Sequence, residues 1–362
     1  MKVFLLAGAR PNFMKIAPLF RQARQYESLD CRIVHTGQHY DFAMSQAFFQ
    51  DLELPEPDFF LGCGSGSHAE QTARIMVEFE KVCEQEEPDW IVVVGDVNST
   101  LACSIVAKKQ GIKVAHVEAG LRSRDLAMPE EINRMVTDSI SDLFFVTEQS
   151  GMDNLLQEGK AREAVCLVGH VMIDNLLYQL EKLEQVDTGG YESAGVKPRP
   201  GDYCFLTLHR PANVDSREAL SSIAAALNRI AKDFPILFPV HPRTRKQLDA
   251  FGLELSPQIV QLPPLSYRES LFLWKDARLV LTDSGGLQEE TTALGIPCLT
   301  LRENTERPIT IELGSNRLAG CSEKSILAAY HEFLRNGVKG STIPPLWDGQ
   351  AAGRVWEKLV AS

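Results

Sequence analysis

Three carboxylates stand where a buried site could use them for proton transfer. Asp96 ends the apolar run WIVVVG, Glu118 ends the run KVAHVE, and Glu130 lies in MPEEINR just before a predicted helix. Parallel strands that are neighbours end at the same edge of a sheet, so Asp96 and Glu118 are expected to share a site. Desolvation and mutual repulsion would raise a pKa there and prepare one of them for general acid or base catalysis.

A structural interpretation of the same acids stays open at this point. Asp96 would cap a helix that begins near Asn98, and Glu118 would pair with Arg122. Arg122 and Arg134 then either neutralise the acids or hold substrate. Arg134 is kept as a candidate substrate-binding residue.

The segment TDSGG in the second half predicts an anion site at the start of a helix. Ser284 suits the N-cap position, and Gly285 and Gly286 let a phosphate approach backbone N–H groups where the helix dipole favours negative charge. Glu290 on the same helix is placed for ribose hydroxyls, and Arg307 follows the next strand. A nucleoside diphosphate would suit these residues, whereas an ordinary capped helix start would explain the serine alone. The glycines lack the lysine of a P-loop.

Basic residues follow other strand ends. Arg10 ends the first strand and Lys15 lies in the next helix, while His209 and His241 stand at strand ends of the second half, each with an arginine close behind. Contact with an anion and an ordinary surface position are both open for Arg10 and Lys15. Catalytic and structural roles are both open for the two histidines.

The elements that would position these residues alternate along the whole chain. Short apolar, β-branched runs follow amphipathic stretches of 10–15 residues, which is typical of parallel sheets with crossover helices. The predicted strands are KVFLLA, CRIVHT, WIVVVG, KVAHVE, LFFVT and AVCLVG in the first half, and YCFLTL, ILFPV, QIVQL, RLVLT and PCLTL in the second. The predicted fold class is therefore α/β, with two doubly wound parallel-sheet, Rossmann-like domains facing a cleft.

The domain boundaries are predicted from composition and from the strand pattern. Residues 1–170 form the N-terminal domain with the carboxylates, residues 171–345 form the C-terminal domain with the nucleotide site, and residues 346–362 form a terminal helix that can cross back to the first domain. The Gly- and Pro-rich stretch DTGGYESAGVKPRPGD, residues 187–202, is interpreted as the linker.

Composition excludes several classes of protein. Of the 362 residues, 23% are charged and 44% hydrophobic, and the net charge is −11, which leaves no broad basic face for nucleic acid. No apolar run approaches the roughly 18 residues that span a bilayer, and Arg10 interrupts the first run too soon for a signal-peptide core. The eight cysteines lack CxxC spacing, so free thiols in a cytoplasmic protein are expected. Histidines and acids are not spaced as metal ligands.

Seven segments in this order, GARPNFMKIAP, GDVNST, HVEAGLRS, PEEINR, LHRPAN, TDSGGLQEE and TERP, give a specific resemblance. The chain resembles the UDP-N-acetylglucosamine 2-epimerase family of the non-hydrolysing type, from residue 2 to about residue 320. The resemblance implies a fold like that of the GT-B glycosyltransferases, a homodimer, and cytoplasmic conversion of UDP-GlcNAc to UDP-ManNAc for cell-envelope polysaccharides. It implies no metal and no redox cofactor.

The resemblance also implies a mechanism and assigns residues to it. A base removes the C2 proton while UDP departs from C1, and UDP re-adds to the resulting glycal after C2 is protonated on the other face. The assigned acid/base carboxylates are Asp96, Glu118 and Glu130, with Lys15 beside them and His209 near the leaving diphosphate. The assigned UDP-site residues are Arg10, His241, Ser284, Gly285, Gly286, Glu290 and Arg307.

Two segments depart from the family pattern, and three other functions stay open. The residues after His39 in TGQHYD differ from the segment that binds a second, activating UDP-GlcNAc in some relatives, and the stretch between Arg122 and Pro129 is short. A 2-epimerase of a modified UDP-sugar, such as a UDP-2,3-diacetamido-uronic acid, would share the UDP motifs. A GT-B glycosyltransferase would require an acceptor, and a nucleotide-sugar sensor would have no need of the carboxylates.

Overall fold

The computed structural model describes residues 1–37, 49, 51–338 and 340–362, with the side chain of Arg10 excepted. His39 and its neighbours lie outside the described residues, so the prediction about an activating ligand stays a prediction. The chain divides into two compact units: Met1–Leu177 with Pro345–Ser362, and Tyr178–Pro344. No helix among the described residues is long and apolar enough to cross a membrane.

The first unit contains a parallel sheet of seven strands in the order β3-β2-β1-β4-β5-β6-β7. Its strands are β1 (Lys2–Ala7), β2 (Asp30–His35), β3 (Phe59–Phe60), β4 (Trp90–Val94), β5 (Lys113–Val117), β6 (Leu143–Val146) and β7 (Val165–Leu167). Every residue of the central run WIVVV is buried, as expected where helices cover both faces of a parallel sheet. The strand order reverses between β1 and β4, which is where such sheets bind ligands.

Helices flank this sheet. They are α1 (Arg10–Ala23), α2 (His68–Glu86), α3 (Asn98–Lys109), α4 (Pro129–Ile140), α5 (Gln149–Gln157) and the start of α6 (Val171–Gln185). Phe4 and Leu6 of β1 share a core cluster with Ile75 and Phe79 of α2. Alternate residues of one strand therefore anchor the helix layer on one face of the sheet.

The second unit contains a parallel sheet of six strands in the order β10-β9-β8-β11-β12-β13. Its strands are β8 (Cys204–Thr207), β9 (Ile236–Pro239), β10 (Ile259–Leu262), β11 (Leu279–Thr282), β12 (Cys298–Thr300) and β13 (Asn316–Leu318). Its helices after α6 are α7 (Pro211–Val214), α8 (Arg217–Ile230), α9 (Pro242–Phe251), α10 (Tyr267–Trp274), α11 (Gly285–Ala293), α12 (Ile309–Glu312) and α13 (Glu323–Asn336). The strand order reverses between β8 and β11. Both parallel sheets confirm the predicted fold class.

The stretch predicted as a linker, residues 187–202, lies within the second unit rather than between the units. Its polar groups are bound there: the Ser193 N–H donates to Glu269 Oε1 at 3.0 Å, and Lys197 Nζ donates to Phe272 O and to Asp276 Oδ2, each at 2.6 Å. A Gly- and Pro-rich composition indicates irregular backbone, and here that backbone is packed onto α10 and the residues after it.

The last helix, α14 (Ala351–Val360), belongs to the first unit. Its Trp356 is fully buried, and the indole N–H donates to the Leu19 carbonyl of α1 at 2.8 Å. Asp174 of α6 receives the Ala351 N–H at 3.1 Å and the Ala352 N–H at 2.7 Å, which satisfies two donors that a helix start leaves open. The assignment of the carboxylates to the N-terminal domain and of the nucleotide site to the C-terminal domain stays a prediction.

Candidate active site

The strand ends of the first unit bring together a buried carboxylate and a buried ammonium group. Glu118 follows β5 with 2% of its surface exposed, and Lys15 of α1, 6% exposed, forms an ion pair with Glu118 Oε2. His170 Nε2 lies 3.6 Å from the other carboxylate oxygen. Removing either member of this pair would leave the other charge buried without its partner, which would strongly destabilise the fold.

The backbone around Glu118 is held in an uncommon conformation. Its φ is +68°, a left-handed value that costs free energy for a residue with a side chain. Gly95 after β4 also has a positive φ, and a Cβ placed there would come within 2.9 Å of Lys15 Nζ and 3.3 Å of Glu118 Oε2. Glycine therefore makes room for the ion pair.

Asp96 belongs to a second cluster, centred on Arg134. The guanidinium of Arg134 pairs with the Asp96 carboxylate and with Glu131 Oε2 at 2.8 Å. Burial alone would raise the pKa of Glu131, but hydrogen bonds from the Ser123 N–H, from Arg134 and from the Arg124 N–H hold it below its ordinary value. The Asp96 side chain stays 29% exposed, so it can reach solvent or a bound molecule.

The structural interpretation of the two acids does not hold. Val97, rather than Asp96, is the N-cap residue of α3. Arg122 pairs with Asp138 Oδ2 and Glu158 Oε2, each at 2.7 Å, while Glu118 takes Lys15 instead. Asp96 therefore pairs with Arg134 instead of capping the helix, and the basic partner of Glu118 is Lys15 rather than Arg122.

Glu130 occupies a different position from the other acids. It lies in the first turn of α4 and is exposed, whereas its neighbour Glu131 is 1% exposed. The structure thus brings Glu131 into the buried cluster and leaves the Glu130 side chain at the surface.

In the second unit, His209 follows β8 and is held by an acid. Its Nδ1 lies 3.1 Å from Asp283 Oδ1, and its backbone N–H donates to Asp283 Oδ2 at 3.0 Å. Burial alone would raise the pKa of Asp283, but the hydrogen bond and charge of His209, with the N–H of Arg210, hold it below its ordinary value. The His209 side chain is 43% exposed, which leaves its outer edge accessible.

The segment after β11, predicted as an anion site, forms the start of a helix. Ser284 is the N-cap residue of α11, and Gly285 and Gly286 are the first helical residues. A Cβ on Gly285 would lie 3.1 Å from Glu306 Oε1 and 3.9 Å from an Arg210 nitrogen. The helix start and a guanidinium group therefore lie side by side.

Arginines and acids form ion pairs in the cluster around this helix start. Glu306 pairs with Arg210 at 3.2 Å and with Arg302 at 2.7 Å, and Arg307 Nε lies 2.5 Å from Glu289 Oε1. Although burial favours the neutral form, the charges of Arg307, Arg302 and Arg210 hold the pKa of Glu306 far below its ordinary value. Three guanidinium groups, those of Arg210, Arg302 and Arg307, therefore lie in this cluster, each beside a carboxylate.

Of the remaining predicted nucleotide-site residues, Glu290 and His241 belong to the second unit and Arg10 to the first. Glu290 is buried and accepts the Tyr267 hydroxyl at 2.6 Å. His241 is the N-cap residue of α9, and its ring lies 6.0 Å from that of His209. Arg10 begins α1, but its side chain is the one that the structure does not describe.

Sequence reasoning missed several supporting residues. Asn12 accepts the Gly8 and Ala9 N–H groups and donates to Val94 O at 3.1 Å, which ties the end of β1 to the end of β4. Asp283 was visible in TDSGG as a strand-end acid, and its distance from the histidines along the chain hid its role. Glu131 and Glu306 gave only the weaker signal of an acid close to an arginine.

Comparison with known proteins gives a consistent result over nearly the whole chain. The family model for UDP-N-acetylglucosamine 2-epimerase matches residues 21–360. A protein of Methanococcus maripaludis described as UDP-N-acetylglucosamine 2-epimerase is 41% identical, covering 99% of this chain and 98% of that protein. A Pseudomonas aeruginosa protein described as UDP-2,3-diacetamido-2,3-dideoxy-D-glucuronate 2-epimerase is 38% identical, covering 99% of each.

Solved structures agree with this result. The Methanocaldococcus jannaschii UDP-GlcNAc 2-epimerase, solved in complex with UDP-GlcNAc and UDP, is 40% identical with a TM-score of 0.91 and covers 100% of both chains. The Neisseria meningitidis UDP-GlcNAc 2-epimerase bound to UDP-GlcNAc is 28% identical with a TM-score of 0.92, also at 100% of both chains. These likenesses confirm the predicted GT-B-like fold class.

Proposed function

The chain belongs to the UDP-N-acetylglucosamine 2-epimerase family, and from that membership we propose that it interconverts UDP-GlcNAc and UDP-ManNAc without hydrolysing them. The observation that carries the proposal is the pair of acids at neighbouring strand ends, Asp96 and Glu118, each beside its own cation. Inversion at C2 requires a proton to leave one face of the sugar and return on the other. Two separately held carboxylates suit that requirement.

The nucleotide is proposed to bind to the second unit. The diphosphate would accept hydrogen bonds from the Ser284 hydroxyl and from the backbone N–H groups of Gly285 and Gly286, with Arg210 and Arg307 adding positive charge. Phosphate oxygens are strong acceptors, so charge-assisted hydrogen bonds would supply most of the affinity.

The other nucleotide contacts are assigned by position. Glu290 is proposed to accept hydrogen bonds from ribose hydroxyls, in an orientation that the Tyr267 hydroxyl fixes. His209 Nδ1 contacts the Asp283 carboxylate, so the other ring nitrogen, Nε2, is proposed to donate a hydrogen bond to the departing diphosphate. Arg10 and His241 are kept as proposed UDP-site residues.

The proposed reaction is an elimination followed by a re-addition. A carboxylate takes the C2 proton, the C–H electrons form the C1–C2 double bond, and the C1–O bond breaks so that UDP leaves with its electron pair. A second acid then protonates C2 on the opposite face while a UDP oxygen re-forms the bond to C1. The C2 proton, beside an acetamido group, is only weakly acidic, so departure of UDP must run ahead of its removal. Positive charge around the diphosphate favours that departure.

Glu130 stays proposed as the third acid/base carboxylate. Its exposure at the start of α4 leaves the carboxylate accessible to a bound sugar. Lys15 is proposed to keep Glu118 ionised, because the buried ammonium compensates the carboxylate.

Incubation of the protein with UDP-GlcNAc alone tests this function. We expect UDP-ManNAc to appear without free UDP or free sugar. Because the Pseudomonas relative acts by its description on a diacetamido-glucuronate nucleotide, UDP-2,3-diacetamido-glucuronate is the second substrate to be tried. Turnover of UDP-2,3-diacetamido-glucuronate but not of UDP-GlcNAc would indicate a 2-epimerase of the modified sugar. Turnover only after addition of an acceptor would indicate a glycosyltransferase.

A further inference from the structure

His116 is a fully buried histidine beneath the proposed acids that the mechanism does not use. It lies in β5, two residues before Glu118, with 0% of its surface exposed. Its Nε2 lies 2.9 Å from the Gly95 carbonyl, and its Nδ1 lies 2.7 Å from Asp138 Oδ1. Both ring nitrogens therefore face oxygen acceptors, on opposite sides of the ring.

Asp138 of α4 gathers the other half of this network. Its Oδ2 accepts the Gly120 N–H at 3.0 Å and an Arg122 N–H at 2.7 Å, in addition to the histidine on Oδ1. Burial alone would raise the pKa of Asp138, but the charge of His116, its hydrogen bond and the charge of Arg122 hold it below its ordinary value. One carboxylate thus ties β5, the turn after it and a charged loop to α4.

The two ends of this network touch the backbone on either side of the proposed acids. Gly95 directly precedes Asp96, and Gly120 follows Glu118 by two residues. Gly95, Glu118 and Gly120 have φ values of +67°, +68° and +80°. A conformation of this kind persists only where surrounding contacts determine it, and the His116–Asp138 pair supplies such contacts at both strand ends.

We propose that His116, through Asp138 and the Gly95 carbonyl, is a positioning residue that sets the placement of Asp96 and Glu118 for proton transfer at C2. The inference deepens the proposed function and rests on it. A histidine suits the position because its rigid ring presents two nitrogens in opposed directions at once. Small errors in the placement of reacting groups carry large costs in rate.

The test separates the two arms of the histidine by substitution. In His116→Asn, the amide reaches Asp138 but not Gly95, so the contact next to Asp96 is lost. We expect this variant to lower kcat about tenfold with KM nearly unchanged, since the helix start proposed to bind the diphosphate lies in the other unit. His331→Asn, at an exposed position of α13, is the matched control and should leave kcat unchanged.

A double-mutant cycle with Asp96→Asn distinguishes positioning from a merely structural role. If His116 acts through Asp96, His116→Asn should cost less than about twofold in the Asp96→Asn background. An equal tenfold loss in both backgrounds, or a kcat unchanged in the single variant, would overturn the proposal. Failure of Asp96→Asn itself to lower turnover would instead remove Asp96 from the proposed mechanism, and only the absence of UDP-GlcNAc conversion by the unsubstituted protein would overturn the proposed function.

A second variant keeps the test decisive if His116→Asn does not fold. In His116→Gln the longer amide reaches Gly95 but not Asp138, so the arm toward Asp96 is retained. The factor by which His116→Gln lowers kcat should then be the same in the unsubstituted protein and in the Asp96→Asn background. A loss of kcat that disappears in the Asp96→Asn background would contradict the proposal.

Discussion

At the scale of residues, each strand-end acid in the first unit has a basic partner from a different helix. Lys15 of α1 neutralises Glu118, and Arg134 of α4 neutralises Asp96. The sequence placed both acids at one sheet edge because apolar strands that end in a polar residue are easily recognised. The partners could not be paired from sequence, since the choice between Arg122 and Lys15 depends on how the helices cross the sheet.

Asp96→Asn tests the proposed acid/base role of Asp96 directly. The amide keeps the size of the side chain but cannot exchange a proton at neutral pH, so turnover should fall at least about a hundredfold. The affinity for UDP, measured by titration calorimetry, should stay within about twofold of the unsubstituted protein, because the proposed nucleotide contacts lie elsewhere. Asp249→Asn on the exposed face of α9 is the control, and unchanged turnover of Asp96→Asn would remove Asp96 from the mechanism.

Glu130 and Glu131 are adjacent but are predicted to have different roles, Glu130 in the reaction and Glu131 in the stability of the fold. Glu131→Gln removes the buried partner of Arg134 and should destabilise the protein by about 2 kcal/mol, seen as a lower midpoint of thermal unfolding. Glu130→Gln, at an exposed position, should leave that midpoint unchanged and lower turnover at least about tenfold. The opposite pattern, with turnover lost only in Glu131→Gln and its midpoint unchanged, would show that the third carboxylate is Glu131.

At the scale of elements, the helix start after β11 carries the proposed diphosphate site. Ser284→Ala should weaken UDP binding several-fold, because one hydroxyl hydrogen bond contributes about 1 kcal/mol, and should leave kcat at saturating UDP-GlcNAc nearly unchanged. Ser322→Ala, which removes a serine hydroxyl from the N-cap of another helix of the same unit, is the control and should leave UDP binding unchanged. Loss of kcat with unchanged affinity would place the diphosphate elsewhere.

The start of the last helix predicts a pH dependence of stability. Burial raises the pKa of Asp174 to about 6, against hydrogen bonds from the Ala352 and Ala351 N–H groups. Because the folded pKa exceeds the unfolded value near 4, the folded state binds more protons between about pH 4 and pH 6, and stability falls as the pH rises through that window.

Asp174→Asn lacks this titration, so it isolates the effect. Relative to the unsubstituted protein, the variant should gain up to about 3 kcal/mol between pH 4 and pH 7, whatever constant offset the lost hydrogen bond introduces. Thermal unfolding midpoints measured across this range check the prediction. A difference between the two proteins that does not change with pH would contradict the raised pKa.

The strand pattern was predictable for eleven of the thirteen strands among the described residues, and the two exceptions are short edge strands. β3 has two residues and β13 has three, and each lies at an edge of its sheet. An edge strand pairs on one side only and is partly exposed, so it requires no long apolar run. The helix starts were harder to predict than the strands, as Val97 in place of Asp96 illustrates.

At the scale of the whole molecule, both units repeat one strand order around a reversal point, with polar residues at the same end of the sheet. Local patterns predicted this class of fold. They could not predict that residues 187–202 belong to the second unit, nor that Trp356 bonds to Leu19 across 337 positions. Such contacts depend on tertiary packing, which short segments of sequence do not determine.

The most direct test of the proposed reaction is proton NMR of the protein with UDP-GlcNAc alone in deuterated water. The account predicts UDP-ManNAc with deuterium at C2, deuterium entering the remaining UDP-GlcNAc as well, and no free sugar. UDP-ManNAc that keeps hydrogen at C2 would contradict proton abstraction by a carboxylate, and free ManNAc with UDP would contradict the non-hydrolysing reaction.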